Sequence, residues 1–546
     1  MNDICKTGPG LSLRAAHARL TAPGGAFETE VRPIRGVPVT VWKHVPATAA
    51  EALARARTHG SRDFLVWRDV RVTHDAFARA VAAAANDLTA RGVQKGDRVA
   101  VAMKNCPQWP VAFMGALLAG AIAVPLNARW TEAELAYAMA DSGAKFVFAD
   151  GERRARLPGA AVLDVEAIAG PATGWAGLAD AALPDVALVP EDDATIFYTS
   201  GTSGSPKGAL GTHRALTTNI FAAPFVQARN RLRAGIEPPQ RERPRVTLLA
   251  VPFFHVIGSL SVLLPNMAAG ATLVLMTRFD ADEALALIAR ERVTVAGGVP
   301  AIALSLLELA KGHDLSSLEL VTYGGAPCPA ALARRVRDEL GAWPGQGWGM
   351  TETSATCTSH SAQDYLAHPG SCGPALPVNR LKVMKDGVEA PPGMVGELWA
   401  FGPGIVKGYW NRPEDTAHAF RDGWLRTGDL ASLDEEGFCT IHDRLHDMVI
   451  RGGENIYCSE VENILSQHPA VADAALVGLP HPILGEVPAA LVQARGPVSG
   501  DALRDFAGRR LAAFKVPVEV VIRDTPLPRN ENGKLVKRDI RKVFGA

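Results

Sequence analysis

The chain has no excess of charge of either sign, no cysteine framework and no unbroken apolar stretch that must cross a membrane. Its 57 basic and 57 acidic residues cancel, so the electrostatic footprint of a nucleic-acid-binding protein is missing. The 7 cysteines are odd in number and scattered, and none falls in a Cys-x-x-Cys pair. They read as reduced thiols of a cytoplasmic protein and exclude a disulfide-stapled or zinc-bound scaffold. Lys6, Arg14 and Arg19 stand near the start without an apolar segment beside them, so no signal peptide is expected. Between Val246 and Thr277 there is no Asp, Glu, Lys or Arg, but Pro252, His255, Pro265 and Gly270 divide the run. The pieces have the lengths of a buried strand–helix–strand, and no transmembrane segment is expected. Internal repeats and long low-complexity tracts are also missing.

What remains is a long, apolar, layered chain. Its 546 residues, 47% hydrophobic, exceed one ordinary domain. From about residue 73 to 150, and again from 194 to about 340, helix and strand patterns alternate. Thr73 can cap a helix running to Gly92, Asp97–Met103 reads as a strand, and Asp280–Glu291 reads as a helix. This rhythm predicts α/β architecture, with parallel sheets covered by helices on both faces. Residues 151–190 read as a peripheral excursion and 228–245 as a charged surface loop. From about 370 to 443, short strands separated by Pro/Gly turns predict a small β-barrel-like unit. After Asp443-Arg444 a new strand and helix pattern begins. The expected division is a large domain over 1–444 and a small mobile α+β domain over 445–546, hinged near 444–447.

The most informative segment is 198–208, Tyr-Thr-Ser-Gly-Thr-Ser-Gly-Ser-Pro-Lys-Gly, directly after the apolar run 194–197. Glycines let backbone N–H groups converge, and hydroxyls and a lysine add donors, which is chemistry for a polyphosphate. It is not a P-loop: Pro206 stands where the second glycine is needed, and Gly208 replaces the hydroxyl after Lys207. A second segment, Gly347-Trp348-Gly349-Met350-Thr351-Glu352-Thr353, places one carboxylate between hydroxyls. Tyr323-Gly324-Gly325-Ala326-Pro327, Thr427-Gly428-Asp429-Leu430, Arg451-Gly452-Gly453-Glu454-Asn455-Ile456-Tyr457 and Asn532-Gly533-Lys534 follow in order. Each taken alone has a bland reading as a turn, a cap or a solvated tail.

In combination they resemble the adenylate-forming superfamily of acyl-CoA synthetases, luciferases and peptide-synthetase adenylation domains, over roughly residues 50–540. The resemblance implies that Thr199, Ser200, Gly201, Thr202, Ser203, Gly204 and Lys207 hold ATP phosphates. It implies that Gly324, Gly325, Ala326, Trp348 and Gly349 flank the nucleotide, with Thr351 on the α-phosphate and Glu352 on Mg²⁺. Asp429 would accept from the ribose hydroxyls and Arg444 would add a second nucleotide contact. Lys534 would bridge carboxylate and α-phosphate during adenylation. Arg451, Gly452, Gly453 and Glu454 would enter the site for the second half-reaction, with CoA as co-substrate. His446 stands at the hinge, where the family usually has Asp or Lys, and Trp348 replaces the usual Tyr. Cys458, where a Pro commonly stands, reads as structural.

The expected acyl pocket comprises His255, Val256, Gly298, Val299, Ile302, Gly325, Trp348 and Met350, with His255 as an aromatic gate toward the thiol tunnel. It holds no charged residue, which favours a fatty, alicyclic or aryl monocarboxylic acid over an amino acid. The implied activity is ATP-dependent carboxylate:CoA ligation. Loading of a carrier-protein thiol and a non-catalytic acyl or nucleotide sensor are the alternatives. Pyrophosphate release separates enzyme from sensor, and a phosphopantetheinyl acceptor separates the two enzymes.

Overall fold

Local signals start and stop the helices where the sequence places them. The Thr73 hydroxyl accepts from the Ala76 N–H and opens the helix His74–Ala90. Thr131 and Glu134 form a reciprocal capping box on Glu132–Ser142, which stops at Gly143 with φ 63°. The helix Gln108–Leu118 has no polar face and is buried from Trp109 to Leu118. It lies so close to the helix His74–Ala90 that a Cβ on Gly115 would stand 2.8 Å from Ala84 Cβ. The computed structural model describes residues 11–199, 206–236, 244–325, 328–445, 447–451, 454–529 and 535–545.

Two mixed sheets carry the large unit. Among the described residues, the first runs Gly408–Tyr409, Lys207–Thr212, Asp193–Thr199, Ile122–Pro125, Arg98–Ala102, Phe146–Ala149, Val162–Leu163. The second runs Ala355–Ser361, Trp343–Met350, Leu320–Gly324, Val295–Gly298, Val246–Leu249, Thr272–Leu275, Asp63–Trp67, Val70–Thr73. Their centres are parallel, as the alternating pattern implies, but Asp193–Thr199 with Lys207–Thr212 and Trp343–Met350 with Ala355–Ser361 are antiparallel. The reason is connection length: a handful of residues can join only antiparallel neighbours, whereas a parallel pair needs a crossover. The described residues flanking both motifs, Thr199 with Lys207 and Met350 with Ala355, therefore pair across antiparallel hairpins near one side of each sheet. A third, antiparallel sheet occupies 373–444, in the order Gly373–Pro374, Phe438–Arg444, Trp424–Leu433, Gly396–Phe401, Arg380–Lys385, Val388–Glu389.

Residues after 447 build their own sheet around Val471–His481 and Gly485–Ala494, with apolar clusters drawn only from that part of the chain. The helix Cys458–Leu465 is tied back to the third sheet. Asp443 Oδ2 accepts from the Cys458 N–H (2.6 Å), and the Ser459 hydroxyl donates to the His442 carbonyl.

Two sequence expectations change. Residues 228–234 are not loop but the end of a helix, Ala222–Ala234. Arg229 is fully buried in it, because its guanidinium donates to the Ser359 carbonyl (2.8 Å) and lies 3.7 Å from Asp364. Residues 237–243 lie outside the described part. The peripheral excursion is pinned to the core by Trp175, which is fully buried in the main apolar cluster, while its Nε1 donates to the Gly170 carbonyl within the excursion at 2.9 Å. The uncharged stretch 246–277 is strand, helix and strand, its first helical part, Ile257–Leu263, wound as a π-helix. Among the described residues no helix is long and apolar enough to cross a membrane.

Candidate active site

The two hairpins meet through an edge strand that the sequence motifs did not mark. Gly408–Tyr409 pairs with Lys207–Thr212, setting Tyr409 opposite Ala209. From there the Tyr409 hydroxyl donates to Glu352 Oε1 at 2.8 Å. Glu352 is buried in the single turn Thr351–Thr353, and its carbonyl accepts from the Val406 N–H at 3.0 Å. Burial, then the charge of Glu352, raises the Tyr409 phenol well above its ordinary pKa, so it stays a donor. Lys207 Nζ pairs with Asp415 Oδ1 at 2.6 Å and lies 5.5 Å from the Tyr409 ring centre.

Mg²⁺ is held by one or two carboxylates together with phosphate oxygens and water. Among the described residues there is no cluster of three or more metal-ligating side chains. The single buried carboxylate of Glu352, oriented by Tyr409, fits that mode. Glu352 would hold the ion, whose charge offsets that of the nucleotide phosphates.

On the third sheet Asp429 is opposite Arg444, and Arg444 Nε lies 3.2 Å from its Oδ1. Gly428, at φ 69°, turns the strand, and the Asp429 N–H donates to Thr427 Oγ1 at 3.1 Å. The other carboxylate oxygen of Asp429 accepts from Trp348 Nε1 at 2.8 Å. A β-bulge aims the indole there: the register of Trp343–Met350 against Ala355–Ser361 slips between Trp348 and Gly349. Only glycine fits at 349, since a Cβ would run into the Ala355 carbonyl oxygen.

A cavity of about 730 Å³ opens beside these groups. Thr351, Gly324, Gly325 and Gly349 line its inner end, and His255, Val256, Gly298, Val299, Trp348 and Met350 are on its walls. Ile302 is not on the wall; it stands behind Gly298, where an added Cβ would meet its Cδ1 at 2.7 Å. The expectation of an uncharged pocket also changes. Arg62 and Arg245 line the cavity, while among the described residues Asp and Glu do not. Arg245 immediately precedes the strand Val246–Leu249, whereas Gly298 and Gly324 end theirs. The cavity thus follows the parallel strands from one end to the other, and the arginines stand at the end away from Thr351. Reasoning from motifs had reached only the near end.

Thr199 ends its strand opposite Lys207. Ser200, Gly201, Thr202, Ser203, Gly204, Ala326, His446, Gly452, Gly453 and Lys534 lie outside the described residues. Arg451 and Glu454 face each other in a hairpin, and Arg451 Nη1 donates to the Phe514 carbonyl at 2.8 Å. Cys458 is buried, its thiol donating to the Asp447 carbonyl (3.1 Å), and burial raises its pKa well above the thiol range, as for a structural cysteine. Lys537 is largely buried, its Nζ 3.7 Å from Glu462 Oε1. Sequence reasoning missed Tyr409 and Asp415. Both are C-terminal to Gly402-Pro403-Gly404, and only the pairing with Lys207–Thr212 brings them to the site.

The paired hairpins, buried carboxylates and adjoining cavity define a nucleotide-dependent enzyme site. The chain belongs to the AMP-binding enzyme family, which matches residues 53–410, and the family's C-terminal domain matches 460–534. It is 38% identical to a feruloyl-CoA synthase of Amycolatopsis sp, over 87% of this chain and 94% of that protein. It is 36% identical to the long-chain-fatty-acid–CoA ligase FadD13 of Mycobacterium tuberculosis, over 88% and 94%. Among solved structures, o-succinylbenzoate CoA synthetase of Bacillus subtilis in complex with its acyl-adenylate intermediate is 32% identical. It superposes with a TM-score of 0.78 over 91% of this chain and 98% of that one.

Proposed function

We propose that the chain is an ATP-dependent carboxylate:CoA ligase acting on an apolar fatty, alicyclic or aryl carboxylic acid. The carboxylate attacks the α-phosphate, pyrophosphate leaves, and the CoA thiolate then displaces AMP from the acyl-adenylate. The observation that carries this reading is the cavity of about 730 Å³ ending at Thr351, next to Glu352 and to Asp429 with its two donors. That arrangement gives an acid a route to the position where an α-phosphate would be set by Lys207, Thr351 and Glu352. Asp429 holds the ribose, and Lys534 supplies positive charge where it develops in the first transition state. The division at 444–447, with 445–546 turning about His446, lets Lys534 withdraw and the 451–454 hairpin take its place for thiolysis. The six described cysteines are all free thiols, which agrees with a cytoplasmic location.

The relatives bracket the acid, one acting on feruloyl and one on long-chain fatty acyl groups by name. A panel of aryl and straight-chain acids, read by CoA-dependent AMP formation, tests the proposal. AMP and thioester in equal amounts support it. Pyrophosphate release without CoA consumption, but with acylation of a phosphopantetheinyl carrier, overturns the choice of acceptor.

A further inference from the structure

Trp348 serves both halves of the site. Its side chain lines the acyl cavity, and its indole N–H donates to Asp429 Oδ2 at 2.8 Å. A carboxylate has about four lone-pair positions. On Asp429, Arg444 approaches Oδ1 and Trp348 takes one position on Oδ2. One position on each oxygen is left, which is what a vicinal diol requires.

The two donors differ in rigidity. The Arg444 side chain is 49% exposed and reaches Asp429 from the neighbouring strand of the same sheet. Trp348 comes from a different sheet and is fixed from several sides. Its main-chain N–H donates to Thr358 Oγ1 at 3.1 Å, and that hydroxyl donates to the Cys372 carbonyl at 2.8 Å. Its ring packs against apolar clusters that include Leu398 and Ile405. The terminal torsion of an aspartate is broad, so a donor fixed in the wall decides which way the carboxylate plane faces.

We propose that Trp348 is a positioning residue for ribose recognition: its indole N–H holds the Asp429 carboxylate in the orientation that accepts both ribose hydroxyls. This rests on the assignment of Asp429 to the ribose made above.

Two variants separate the N–H from the ring. Trp348→Phe keeps an aromatic ring and removes the donor. Trp348→His deletes the benzo ring but keeps a ring N–H at the same distance from the backbone. Pyrophosphate release is measured at pH 8 with saturating acid and with ATP, 2′-deoxy-ATP or 3′-deoxy-ATP, and thermal melting confirms folding. The wild type is expected to prefer ATP over either deoxynucleotide by about tenfold in kcat/KM, the worth of a hydrogen bond to a charged group. Trp348→Phe should lose most of that preference and about tenfold in kcat/KM for ATP, mainly through KM, while Trp348→His should keep the preference. In an Asp429→Ala background, Trp348→Phe should add little. Retention of the preference in Trp348→Phe overturns the inference, as does equal loss in both variants or additivity with Asp429→Ala. A wild type that releases no pyrophosphate with any acid instead overturns the ligase reading itself.

Discussion

The Tyr409 hydroxyl donates to Glu352 Oε1 at 2.8 Å, joining residues 57 positions apart in the chain. It ties the first large sheet to the turn that follows the Trp343–Met350 strand of the second. It also gives the carboxylate assigned to Mg²⁺ a fixed orientation, through a phenol that does not ionise at working pH.

Glu352→Gln is therefore expected to slow adenylation by about 30- to 1000-fold, the loss of about 2–4 kcal/mol of transition-state stabilisation. Tyr409→Phe should cost less, about 10-fold, because it removes only the orienting hydrogen bond. Pyrophosphate release across a magnesium titration checks both. A Glu352→Gln enzyme with normal turnover at every magnesium concentration would remove that residue from the site.

Within a series of straight-chain acids, kcat/KM should rise by about 0.8 kcal/mol of binding per methylene, close to fourfold, until the cavity is full. α-Amino acids should not be activated, since among the described residues no carboxylate lines the cavity to receive an ammonium group. Arg62 and Arg245 at the far end mean that an acid with a distal anionic group should be tolerated better than one with a distal amine. An amino acid emerging as the best substrate in pyrophosphate exchange would refute the apolar-acid reading.

Lys534→Ala should nearly abolish acyl-adenylate formation yet leave conversion of supplied acyl-adenylate and CoA to thioester near normal, because a contact made only in the first transition state lowers only that barrier. His446→Pro should do the reverse by fixing φ at the hinge. Single-turnover assays of each half-reaction distinguish the cases. Equal damage to both half-reactions in a folded Lys534→Ala enzyme would show the lysine to be structural or shared.

Stability should fall on acidification well before the carboxylates titrate. His213 and His360 are buried, and desolvation lowers their pKa values from 6.5 to about 4 and about 3. The unfolded chain takes up protons below pH 6.5 that these sites refuse. Their contribution is thus complete above 6.5 and is lost as pH falls toward 4, by about 1.4 kcal/mol per pH unit for each. Urea unfolding at pH 7 and pH 5 measures the loss, and His360→Gln should flatten it. Identical midpoints at the two pH values would show that these rings are protonated in the fold.

The sequence by itself determined the helix–strand alternation, the helix cap at Thr73, and the order of the nucleotide motifs. These are local properties, written in hydrophobic period, cap residues and glycine-rich turns, and they do not depend on what packs against them. It did not determine the buried Arg229, whose place follows from a carbonyl and a carboxylate 130 and more residues away. Nor did it give Tyr409 or the indole bond to Asp429. A hydrogen bond to a buried carboxylate depends on which strands become neighbours and where a bulge re-aims a side chain, and nothing near Tyr409 or Trp348 in the chain encodes its partner. The arginines at the far end of the cavity were hidden for the same reason. The residues at the two ends of a parallel strand face opposite rims of the sheet, and only the folded sheet shows that one cavity joins them.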